Sequence, residues 1–182
     1  MKPRNILAFT VGLLLMGPVS DPAWAEEGIE RFFGSYAGSG TAERADGSRE
    51  TRELSMTLER YKDDGFKIDW TTVARDGKED VDTVVDEFLP VEGSPGVYIL
   101  APTEVFFGKD KLPNPLEGEP MRWASIKDDT LTVYSLGITE DGGSEMQIFR
   151  RTLTEEGMDI TFVGLDDGEI QVRASGTLTR TN

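Results

Sequence analysis

An acidic residue followed by glycine recurs along this chain, at Asp46-Gly47, Asp64-Gly65, Asp76-Gly77, Glu92-Gly93, Asp141-Gly142, Glu156-Gly157 and Asp167-Gly168, with alternating apolar and polar residues between. Asp-Gly readily supplies the positive φ of a type I′ turn, so each pair predicts a tight reversal between antiparallel strands. No stretch beyond residue 25 shows sustained helical periodicity. The expected fold is all-β, an antiparallel meander of about 8–10 strands.

Period-two alternation gives most segments one apolar phase, as a half-buried strand requires. Leu54, Met56 and Leu58 share one phase, and Phe66, Ile68, Trp70 and Thr72 the next. Further sets are Met121, Trp123 and Ser125; Leu131, Val133 and Ser135; Met146, Ile148 and Arg150; and Met158, Ile160 and Phe162. The final segment carries Ile170, Val172, Ala174, Gly176 and Leu178 on one phase. Each set is expected to face inward. Val81 to Phe88 is less regular, and Pro102 to Pro120 is proline-rich without strand periodicity. The glycines Gly38 and Gly40 of the first strand permit close approach of another strand. Closing the meander into a barrel removes the exposed edges of a flat sheet; a two-sheet sandwich is the competing arrangement.

Residues 1–25 read as a cleavable export signal. Lys2 and Arg4 precede an apolar stretch from Ile6 to Met16 that is too short to span a bilayer, and Ala23-Trp24-Ala25 presents small residues where a signal peptidase reads. Residues 26–182 then form a single domain, expected in the periplasm or, failing that, outside the cell, without stable membrane insertion. Cysteine is absent, so stability rests on packing and the strand ladder. A net charge of −15 argues against nucleic acid as a partner and reads as a solvated acidic surface.

At the chain ends, a short turn over Ile29 to Phe33 leads into Gly34-Ser35-Tyr36, and Arg180 closes the final strand. This layout resembles the lipocalins and their calycin relatives, whose first strand carries Gly-x-Trp and whose last strand packs a basic residue across that ring. Tyrosine here stands in for the tryptophan. The resemblance implies a lipocalin-like barrel with Tyr36 and Arg180 closing its base, and the chain looks like exported lipocalin-like proteins of proteobacteria.

Histidine is absent as well as cysteine, which removes the commonest general base, the thiolate nucleophile and nearly all structural zinc sites. The carboxylate pairs Asp63-Asp64 and Asp80 with Asp82 lie in or beside turns, where solvent keeps them ionised. None of the Asp-Gly sites has calcium-loop spacing, and Gly38-Ser39-Gly40 lies within a strand rather than opening a helix. No catalytic residue, metal or cofactor is expected.

The function these residues point to is non-enzymatic binding of a small apolar or amphipathic ligand inside the barrel. Phe66, Trp70, Trp123, Met146 and Phe162 would line the site, with Phe106 and Phe107 of the long loop near its mouth. Arg150 continues the phase of Met146 and Ile148, so alternation aims it inward, where a guanidinium needs an anion such as a ligand carboxylate. Otherwise it reaches water at the strand end or pairs with Glu87. The competing reading is a solid-cored envelope protein that binds another protein through its loops or acidic surface.

Overall fold

The computed structural model describes residues 28–62, 64–75, 79–102 and 113–181. The expected export signal, the Asp76-Gly77 turn and the pair Phe106-Phe107 lie outside the described residues.

A 3-10 turn, Ile29–Phe32, precedes β1 (Gly34–Arg44), β2 (Arg49–Tyr61), β3 (Gly65–Arg75), β4 (Glu79–Pro90) and the short β5 (Val97–Leu100). After a second 3-10 turn, Pro115–Glu117, come β6 (Met121–Lys127), β7 (Thr130–Ile138), β8 (Ser144–Leu153), β9 (Gly157–Asp166) and β10 (Glu169–Thr181). Each strand pairs antiparallel with its chain neighbours, and β10 pairs with β1, so the sheet is a closed barrel rather than a sandwich. Closure leaves no free sheet edge along most of the wall. Among the described residues, β4 before Glu87 has no strand partner on its β5 side, since β5 pairs with it only at Phe88, Leu89 and Pro90.

The acid-glycine pairs do not all make the type I′ turn that their chemistry suggests. Among the described residues, both members of a pair take positive φ only at Asp167 (47°) and Gly168 (82°), where a two-residue turn joins β9 to β10. At Asp46-Gly47 the glycine alone is left-handed, and the Asp46 carboxylate instead accepts the Ser48 amide at 2.9 Å, which tightens a longer turn.

One end of the barrel is solidly packed. Phe32, Tyr36, Leu58, Phe66, Phe88, Leu131, Met158 and Leu178 are all fully or almost fully buried there. Phe66 stacks on Phe88 at 4.9 Å and meets the edge of Tyr98 at 4.9 Å. Gly38 lets β1 and β10 close tightly, because a Cβ at that position would lie 2.1 Å from the Thr177 carbonyl oxygen. The Ile29–Phe32 turn covers this base, and the Tyr36 hydroxyl donates to the Phe32 carbonyl at 2.8 Å.

The strand phases on one side of the barrel correct the sequence expectation. Along β6 the fully buried Ala124 faces inward, so Met121, Trp123 and Ser125 face outward. Along β8 the register pairs Val133 with Phe149 and Leu131 with Arg151, which puts Met146, Ile148 and Arg150 on the outer face. The physical reason is a band of half-buried apolar side chains on the outside. Leu89, Ile99, Trp123, Tyr134, Ile148 and Val163 form one row across six strands, joined by successive cross-strand pairs. Where both phases of a strand are apolar, alternation does not distinguish core from exterior. In β10 a bulge between Ile170 and Val172 reverses the phase locally, leaving Ile170 at 38% exposure.

Candidate ligand-binding cavity

Above the packed base the interior opens into a cavity of about 370 Å³. That lies toward the lower end of the roughly 300–1,000 Å³ usual for small-ligand sites. Leu54, Ile68, Trp70, Val133, Phe149 and Phe162 form its apolar wall. Phe149 and Phe162, cross-strand partners on β8 and β9, pack at 4.6 Å between ring centres. Small side chains on β1 and β10, among them Gly40 and Ala174, line the wall opposite, and this leaves the interior unfilled.

Arg151 stands at the cavity floor, where packed and open halves meet. It is 5% exposed. Its Nε donates to the Met56 sulfur at 3.1 Å, and its central carbon lies 5.5 Å from the Trp70 ring centre and 5.6 Å from that of Phe149. Aromatic faces and a thioether are soft partners for a guanidinium, yet they do not replace the hydrogen bonds lost on leaving water. Its buried Nη1 has no hydrogen-bond partner among the described residues. Burial pushes the guanidinium down to about 10, against the opposing pull of the Asp86 charge, so it stays cationic at neutral pH.

Two ion pairs complete the polar equipment. Arg122 on β6 donates to Asp86 on β4 at 2.5 Å, spanning the position where the short β5 ends. Toward the mouth, Arg52 donates to Glu50 at 3.1 Å and Arg44 approaches the same carboxylate at 3.4 Å. The Arg52 hydrogen bond, with smaller help from Arg44, holds the Glu50 carboxyl below its ordinary range.

The site residues named from the sequence separate into distinct places. Trp70 and Phe162 line the cavity, whereas Phe66 is sealed in the packed base. Trp123 lies outside, stacked on Tyr134 at 5.0 Å, and Met146 is on the same outer face. Arg150 is exposed and on the outward phase, yet it also borders the cavity, while its neighbour Arg151 is buried in the interior. Arg151, Phe149, Asp86 and Arg122 were not picked out from the sequence. The available signal was the other phase of β8, where Phe149 and Leu153 flank Arg151. At the opposite end, the Arg180 guanidinium lies over the Tyr36 ring at 4.9 Å and donates to the Phe33 carbonyl at 2.6 Å.

A closed antiparallel barrel, capped by an N-terminal 3-10 turn and with a C-terminal arginine across the first-strand ring, has the calycin, lipocalin-like arrangement. The fold is calycin-like. No family model and no curated protein sequence matches the chain. Among solved structures, Rv2717c from M. tuberculosis is similar with a TM-score of 0.51 and 13% identity, over 87% of this chain and 99% of that one. The S-type phycobiliprotein lyase CPES from Guillardia theta aligns with a TM-score of 0.43 and 8% identity, over 85% of this chain and 90% of that one. At such identities the likeness to Rv2717c concerns the fold alone.

Proposed function

We propose that this barrel is an exported, non-enzymatic binding protein for a small amphipathic ligand, held in the cavity with its polar end at Arg151. The observation that carries the reading is an almost fully buried arginine, one of whose N–H groups has no hydrogen-bond partner among the described residues, in the wall of a cavity that apolar and polar side chains line together. An uncompensated buried charge costs several kcal/mol, roughly, and a ligand that pairs with it recovers part of that cost on binding. Of the three cavity-lining carboxylates, Glu50, Asp82 and Asp86, the first and last are engaged by arginines, which suits neither of those two to act as a general base. The open interior also favours this reading over a solid-cored interaction protein.

Native mass spectrometry of purified protein, combined with displacement of an apolar fluorescent dye, tests the proposal. A small molecule retained at one per chain, or a dye bound and displaced with that stoichiometry, is the expected result. Neither a retained molecule nor a displaceable dye would overturn it.

A further inference from the structure

One stretch of the barrel wall ends in an open strand edge whose chemistry specifies what can pair with it. We infer that residues 81–85 of β4 are a strand-addition site for another protein, taking an extended segment in which basic residues alternate with apolar or β-branched ones.

The backbone defines the edge. The Glu87 carbonyl accepts the Ala101 amide at 2.7 Å, so the Glu87 backbone groups point to the β5 side, and alternation sends those of Val81, Thr83 and Val85 the same way. The groups of Asp82 and Val84 point to β3 instead, whose pairing with β4 runs from Phe88 to Glu79 without a bulge. No strand among the described residues pairs with β4 on the open side before Glu87. Three N–H and three C=O groups thus stand in a row with no backbone partner among the described residues.

The side chains leave this edge available. Exposed edges are ordinarily blunted by lysine, proline or a bulge, and none of these occurs between Val81 and Val85. Asp82, Val84 and Asp86 face the cavity, which puts Val81, Thr83 and Val85 on the outward phase. Val81 and Val85 are 56% and 51% exposed there. An added strand would cover both valines with its own outward residues.

Charge selects the partner. Asp86 is held by Arg122, but Asp82 and Glu87 have no ion-pair partner among the described residues, and Asp82 is exposed. Across the chain 34 acidic residues oppose 19 basic ones, a field that draws basic segments toward the barrel. Pairing with a second copy would instead set Asp82, Asp86 and Glu87 of two edges in one short ladder, like charge against like. In antiparallel register the incoming segment places apolar or β-branched residues opposite Val85, Thr83 and Val81, and a basic residue opposite Asp82.

Fluorescence anisotropy of the labelled peptide Lys-Val-Arg-Thr-Arg-Val-Lys with the purified protein tests the site. Saturable binding is expected, and Glu-Val-Asp-Thr-Asp-Val-Glu should bind at least about tenfold more weakly. N-methylation of the two valines and the threonine should abolish binding, because their N–H groups face β4; N-methylation of the two arginines, whose N–H groups face away, should change it less than about threefold. Thr83→Pro removes one edge N–H without touching the β3 ladder and should abolish binding; if that variant does not fold, the two methylated peptides decide on the native sequence. In the free protein the amides of Val81, Thr83 and Val85 should exchange hydrogen fast and those of Asp82 and Val84 slowly, with the peptide slowing the first three. No binding up to about 1 mM, equal binding of both charge versions, or equal loss with either methylation pattern overturns the inference. So does protection of the three amides without peptide, which would mean that the chain pairs this edge itself. A dimer that Thr83→Pro dissociates also overturns it and assigns the edge to a second copy. Each of these outcomes leaves the cavity reading to its own test.

Discussion

The Arg180 guanidinium stands 4.9 Å from the centre of the Tyr36 ring and donates to the Phe33 and Arg31 carbonyls at 2.6 and 3.2 Å. One side chain of the last strand thus holds the first strand and the N-terminal turn together, and it also caps backbone carbonyls at the barrel base.

Removing that contact is expected to loosen the base. Arg180→Ala should cost about 2 kcal/mol from the lost cation–π contact and two charge-assisted hydrogen bonds. Arg180→Lys should recover only part of this, since an ammonium cannot span both carbonyls while covering the ring. Urea denaturation of the three proteins measures the order, and equal midpoints for all three would contradict it.

Arg151 should reveal a conflict between stability and binding. Its folded pKa, about 10, lies below its ordinary value, so keeping it charged opposes folding at neutral pH, and this cost fades as pH rises through that value. Arg151→Met removes the buried charge along with the contacts to Trp70 and Phe149. The net gain is expected to be about 1 kcal/mol, a rise of roughly 2–4 °C in melting temperature. A lower melting temperature in a properly folded variant would show that the aromatic contacts outweigh desolvation.

Asp86 restrains the positive charge of the cavity. Asp86→Asn removes the partner of Arg122 and the anion acting on Arg151, and it should destabilise the protein by about 2 kcal/mol at neutral pH. Urea denaturation of the variant beside the wild type checks this, and an unchanged midpoint would contradict it.

Alkaline stability should depend on two buried phenols. Burial raises the pKa of Tyr36, with Arg180 pulling the other way, and raises that of Tyr98, reinforced by Glu30 and Asp64. A phenol with a folded value above the ordinary 10.0 contributes stability that is complete below that pH and is lost as pH climbs through the folded value. The denaturation midpoint of wild type should therefore lose this contribution above about pH 10, and Tyr98→Phe should lose less. Comparing the two proteins cancels the opposite contribution of Arg151. Identical pH profiles would exclude Tyr98 as a source of the loss.

The two described tryptophans should report different surfaces. Trp70 lines the cavity, whereas Trp123 is stacked on Tyr134 outside the barrel. A change in intrinsic fluorescence on adding an amphipathic molecule that the protein binds should survive Trp123→Phe and disappear in Trp70→Phe. The reverse pattern would place the ligand on the outer face.

Much of the architecture is legible in local chemistry. Alternation in β2 and β3 sends Leu54 and Ile68 inward because their opposite phases are largely polar. Acid-glycine pairs mark reversals because they relieve backbone constraints within a few residues. Such signals are short-range, so one chain suffices to display them, and a closed meander follows once enough strands must satisfy one another's hydrogen bonds. The turn types were less legible, since Asp46 closes its turn through its side chain rather than through positive φ.

The cavity depended on long-range arrangement. On β6 and β8 both phases carry large apolar groups, so the direction of Trp123 and the choice between Arg150 and Arg151 waited on register with β7. Pairing Val133 with Phe149 commits the whole strand, because a period of two admits no intermediate choice. Asp86, Arg122 and Arg151 meet only because the barrel closes, bringing β4, β6 and β8 around one interior. Local sequence determined that this chain would build paired strands; tertiary closure decided which arginine is buried with one N–H unpartnered among the described residues, since that depends on contacts between residues far apart in the chain.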